Sequence, residues 1–177
     1  MSPGQEDDVR VRALRDAAEA QPENEALWSQ LVTLSKALGH PRQEAKALLM
    51  LAALHQEAGR LELQEAALRR IVVLEPERLD GHIALIGCLT RRGKLSQDDT
   101  AFAEATHAAE RHLDVEASLA LLEHLLLGAE GRTVAKLELV DHLARCRGSE
   151  HATGWLLLAI DHALEASSLE DAVVLLE

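Results

Sequence analysis

LLMLAALHQEAGRLELQEAALRRIVVLEP, residues Leu48 to Pro76, reads as two helices folded back on each other at Gly59. In the first half, Leu48, Leu51, Ala52 and His55 fall at i, i+3, i+4 and i+7. That spacing puts them on one face of a helix. In the second half, Leu61, Ala67, Leu68, Ile71, Val72 and Leu74 form another apolar stripe. Gly59 can take the left-handed conformation that ends a helix. Pro76 lacks the N–H a continuing helix would need, so the second helix is predicted to stop near Glu75.

The layout recurs on either side. His82, Leu85, Ile86 and Leu89 repeat the first stripe 34 residues on, and Gly93 repeats Gly59. Upstream, Trp28, Leu31, Val32 and Ser35 lead to Gly39 over the same interval. A period of 34 is that of a helix-pair repeat. On these residues the chain resembles the tetratricopeptide repeat family. Leu48, Leu51, Ala52, Gly59, Leu68 and Pro76 match or nearly match the family pattern. His55 stands where the first helix's aromatic is expected, and Gln64 where a small residue is expected. In the next unit Leu85, Leu89, Gly93, Phe102 and Ala105 fit, while Asp98 does not. In the last, Leu156, Ile160, Ala163, Ala172 and Leu176 fit. Trp28 lies 20 residues before Leu48, not 34, so the third helix serves two overlapping matches. Residues 113–148 keep the helix–turn–helix rhythm but few signature positions.

Composition agrees with an all-α fold. The 177-residue chain is rich in alanine and leucine, with 2% aromatics, no Tyr and one Phe. Such side chains favour helices packed through small aliphatic contacts. The length suffices for a sizeable core in one domain. The net charge of −12 argues against sequence-independent nucleic-acid binding and against docking on anionic membranes. Arg69–Arg70 and Arg91–Arg92–Lys94 read as solvated helix faces. Cys88 and Cys146 lie in separate predicted helices without metal-ligand spacing and read as buried free thiols. MSPGQEDDVR at the start is polar and acidic, unlike a signal peptide. No apolar run reaches the roughly 18–20 residues needed to span a bilayer. The compartment that fits is the cytoplasm.

Residues 1–6 read as a flexible leader with Pro3–Gly4 as a breaker, and residues 7–177 as a single helical repeat domain. Helices are predicted from Asp7–Asp8 to before Pro22, from after Asn24 to Leu38, from Arg42 to Ala58 and from Leu61 to Leu74. Two more run from Arg78 to Arg91 and from a Ser96 cap to near His112. Four follow: Asp114 to Gly128, Arg132 or Thr133 to Cys146, His151 to Ala166, and a last one capped by Ser168 with Asp171. About ten helices with short loops must run antiparallel to their neighbours, and the period selects a solenoid over a bundle. The run Ala172–Leu176 is apolar where a solenoid needs a polar cap. The expectation is that the domain continues beyond Glu177 or is covered there by a partner or a second copy.

No catalytic constellation stands out. The glycines are single and sit at predicted helix ends, without a phosphate loop, and there is no GxSxG. His107 and His112 are five apart, and HExxH is absent. Glu123–His124, Asp141–His142 and Asp161–His162 are adjacent pairs whose side chains diverge by about 100° on a helix, so none is a dyad or chelate by itself. No enzyme activity, cofactor or metal is expected.

The resemblance implies a concave groove lined by the first helix of each pair. The matching positions are Lys46, Leu49, Ala53 and Gln56; then Asp80, Ile83, Gly87 and Thr90; then Gly154, Leu157, Asp161 and Leu164. Family members that clamp a peptide carboxylate place Lys, Asn and Arg there. This chain has apolar or small residues instead, apart from Lys46. The groove would therefore suit an apolar or amphipathic peptide or helix with basic flanks. Leu49 and Ile83 could equally be core residues. The function so read is a protein–protein interaction adaptor or scaffold. The alternative is a regulatory or oligomerisation segment of a larger enzyme or signalling protein, with the C-terminal helix as a homo-oligomer contact.

Overall fold

A computed structural model of the protein describes residues 3–95 and 99–111, and beyond them only residues 117, 120, 121, 124, 125, 157 and 160. Six α-helices make up the described elements: α1 Pro3–Ala20, α2 Glu25–Ala37, α3 Pro41–Glu57, α4 Leu61–Leu74, α5 Leu79–Arg91 and α6 Asp99–Arg111. No strand occurs among the described residues. The all-helical reading holds over this stretch. The Ser96 cap and the four helices expected after His112 lie outside the described residues.

Most predicted helix ends fall close to the observed ones, but α1 begins at Pro3, four residues before Asp7. Pro3 opens α1 rather than breaking the chain, and Pro41 is the first residue of α3, one before the predicted start at Arg42. Proline's fixed φ suits a first helical turn, where its missing N–H is not needed. Asn24 caps α2 as expected, its side-chain oxygen accepting from the Leu27 N–H at 3.4 Å.

Three turns share one hydrogen-bond pattern. Gly39, Gly59 and Gly93 have φ of 69°, 68° and 63°. The residue after each glycine donates its N–H back to the helix: His40 to Ser35 at 2.9 Å, Arg60 to His55 at 2.8 Å, Lys94 to Leu89 at 2.9 Å. Each glycine N–H donates to the carbonyl three residues back. This is the Schellman closure, which satisfies the helix's last carbonyls and needs a left-handed residue.

The chain divides into two compact units, residues 1–81 and 82–177. In the first, α1 packs on α2, α2 on α3 and α3 on α4. Val11 and Ala18 from α1, Trp28 and Leu31 from α2, and Ala47 and Leu51 from α3 form one buried cluster. The indole N–H of Trp28 donates to the Pro22 carbonyl at 2.8 Å and fixes α2 against its own entry turn. Leu48, Ala52, Leu68, Ile71 and Val72 are buried in α3 and α4. α3 thus buries side chains over more than one stripe, from Glu44 to His55.

In the second unit, Leu85, Ile86, Cys88 and Leu89 of α5 are buried, as are Ala101, Ala105, Ala108 and Ala109 of α6. Cys88 is buried, as expected from sequence; Cys146 lies outside the described residues. No described helix is long and apolar enough to cross a membrane.

Candidate functional site

The four α3 positions of the expected groove lie on the side of the helix left over by the core. Lys46, Ala53 and Gln56 are exposed and Leu49 is half-buried, while Leu48, Leu51, Ala52 and His55 are buried. The 3.6-residue repeat separates the two sets. The polar members of the stripe already have intramolecular partners. Lys46 Nζ donates to Glu19 Oε1 on α1 at 3.1 Å, with both side chains about half exposed. Gln56 Oε1 accepts from Gln64 Nε2 at 2.8 Å. What the stripe offers is therefore mainly the apolar surface of Leu49 and Ala53, flanked by groups of balanced charge.

Asp80 sits in the first turn of α5 and closes on its own helix start. Arg78 Nε donates to Oδ1 at 2.7 Å and Nη2 to Oδ2 at 3.0 Å, while Arg78 Nη1 donates to Glu75 at 2.8 Å. The Gly81 N–H also donates to Oδ1 at 2.9 Å. The Arg78 hydrogen bonds hold the Asp80 carboxyl below its ordinary range. Its charge is paired within the α4–α5 connection, although its side chain is 57% exposed. Gly81 belongs to the same connection: a Cβ there would stand 3.1 Å from Ile71 Cγ2, so the backbone approaches α4 closely.

In the second unit, Ile83 and Gly87 are half-buried and Thr90 is exposed. The Thr90 hydroxyl donates to the Ile86 carbonyl at 2.9 Å, the helix's own backbone. Leu157 is 54% exposed. Gly154, Asp161 and Leu164 lie outside the described residues.

Features that the sequence reading did not single out also lie in the first unit. A surface groove of about 480 Å³ runs between α1 and α2, with Leu14 and Leu34 in it and Arg10, Ser29 and Thr33 at its edge. Leu63 and Val73 of α4 are 48% and 69% exposed. The groove could have been read from Leu34 and Ala37, which sit one turn apart beyond the Trp28–Leu31 stripe. The α4 pair gave no separate signal, because its residues look like any others in an apolar helix.

For metal chemistry, no group of three His, Cys, Asp or Glu among the described residues is placed to hold an ion. His124 is exposed, its Nδ1 2.8 Å from the Ala120 carbonyl one turn back. His112, His142 and His162 lie outside the described residues. No protein-family model matches this sequence, and no curated protein matches it.

Proposed function

We propose that the chain is a non-catalytic adaptor of tetratricopeptide-like build, whose α3 outer stripe receives an apolar or amphipathic segment of another protein. The observation that carries this reading is the division of α3. One side is committed to α2 and α4, while Leu49 and Ala53 present apolar surface on the side those helices leave open. A helix held between two neighbours is a rigid support for such a stripe, and rigidity lowers the ordering cost of binding. Ile83, Gly87 and Thr90 form the equivalent stripe of α5 in the second unit. The net charge of −12 favours partners with basic flanks.

Ala53→Glu is the most direct test, because Ala53 is exposed and a polar side chain there leaves the core alone. Intact chain and variant, with Leu49→Glu beside them, serve as baits for source-lysate capture read by mass spectrometry, with helicity and melting measured in parallel. A protein retained by the intact chain and lost by Ala53→Glu at unchanged melting supports the reading. Equal capture by both removes the stripe from consideration. Capture of the chain's own copies alone favours the assembly-segment reading instead.

A further inference from the structure

We propose that Glu25, His55 and Arg60 form an acid-released latch that ties the α3–α4 turn to the start of α2. The three residues come from different elements. Glu25 opens α2, His55 lies in the last turn of α3, and Arg60 caps α4. Arg60 forks onto Glu25, with Nη2 2.6 Å from Oε2 and Nη1 3.2 Å from Oε1. The backbone reinforces the junction, since the Arg60 N–H donates to the His55 carbonyl at 2.8 Å.

His55 is the member out of balance. The residue is 7% exposed, yet Nδ1 has no hydrogen-bond partner. Nδ1 lies 3.9 Å from Glu25 Oε1, the oxygen that also accepts from Arg60 Nη1. Buried polar atoms are rarely left unpaired without consequence. Glu25 from α2 and Arg60 from the turn are the charged groups that act on the ring. Burial pushes its pKa below the ordinary 6.5; Glu25 pulls it back up and Arg60 pushes it further down.

The consequence follows from the donors. Neutral His55 leaves the fork intact. On protonation the ring becomes a cation with Nδ1–H 3.9 Å from Oε1, attracted to Glu25 and repelled by Arg60. Two cations then share one carboxylate, and the fork that anchors the turn opens. This latch is independent of the protein-binding reading, because it concerns how three helices stay joined whatever binds outside them.

The test is an NMR titration of the full chain that follows the histidine ring nitrogens and the Arg60 Nε–H, with His55→Gln assigning the His55 signal. The expected result is a His55 midpoint below 6.5, with the Arg60 Nε–H signal moving in the same transition. Arg60→Gln should raise that midpoint, by removing a repelling cation and freeing Glu25 for the ring. Glu25→Gln should lower it. A His55 midpoint at or above 6.5 overturns the proposal, as does an Arg60 signal that stays still while His55 titrates. Should either variant lose its fold, the linked titration in the unaltered chain still decides.

Discussion

Arg70 of α4 closes on the Glu44 carboxylate of α3, with Nε at 2.7 Å and Nη2 at 3.3 Å from its two oxygens. Glu44 is 2% exposed, so the guanidinium is the main compensation for a carboxylate withdrawn from water. The hydrogen bond to Glu44 in turn raises the Arg70 pKa above its ordinary value. The pair fixes the rotation of α4 against α3, because only one register brings a fork donor over a buried carboxylate.

Arg70→Met should therefore destabilise the chain by about 1–3 kcal/mol, the range for a buried group left without its partner. Arg70 is itself half-buried, and water reaching the pair holds the loss toward the lower figure. The double change Glu44→Leu with Arg70→Met should recover most of it, since apolar replacement of both partners is often neutral. Urea unfolding midpoints of the three variants check this. A double variant as weak as the single one would show that the pair contributes more than compensation.

Two glycines should respond oppositely to alanine. Gly59 has φ of 68°, where an L side chain costs about 1–2 kcal/mol. Gly59→Ala should lower the melting temperature accordingly. Gly87 lies inside α5, and among the described residues a Cβ there would meet only Arg91 Nη1, at an ordinary 3.6 Å. Gly87→Ala should stabilise by up to ~1 kcal/mol through helix propensity. Thermal melts of both variants on the same day make the comparison.

Asp80 gives a pH signature. Arg78 lowers its pKa below the ordinary 3.8, so the folded state favours the ionised form. That contribution is fully present above pH 3.8 and is lost as pH falls through the lower folded value. Asp80→Asn should be slightly weaker than the parent at pH 7, by less than ~1 kcal/mol for so exposed a pair. The two should converge in strong acid. Denaturant melts from pH 7 down to acid follow the difference, and a gap that persists in acid would point to the Gly81 hydrogen bond instead.

Trp28→Phe removes the indole donor to the Pro22 carbonyl while keeping an aromatic ring in the cluster with Leu31 and Leu51. The loss should be about 1–3 kcal/mol, from the hydrogen bond and the imperfect refilling of the space. Hydrogen exchange at the α2 amides should quicken with it. Slowed or unchanged exchange would place the anchoring of α2 elsewhere.

Short-range pattern decided most of the helices. The stripe from Leu48 to His55, the glycines at 39, 59 and 93, and Pro76 mark helix faces and ends through effects confined to one or two turns. Amphipathic period, left-handed φ and a missing N–H are all local physics, so they are legible without the fold. The same physics misjudged Pro3, because proline breaks a helix from inside and opens one at its first turn.

The α3 stripe was partly legible too. Its exposed and buried halves follow from the helical period, but the occupation of Lys46 by Glu19 and of Asp80 by Arg78 does not follow from any spacing rule.

By itself the sequence determined that the chain is helical from about residue 7 to residue 111, and which face of each helix is apolar. Only the tertiary structure decided which polar groups meet: Glu44 with Arg70, Glu25 with Arg60, and His55 beside that second pair. The reason is distance along the chain. Helical period relates residues three or four apart, whereas these partners are separated by 26 and 35 positions and meet only after the helices pack. His55 entered as a substitute for an aromatic. It became a titratable group poised over a carboxylate only once α2 lay beside the end of α3.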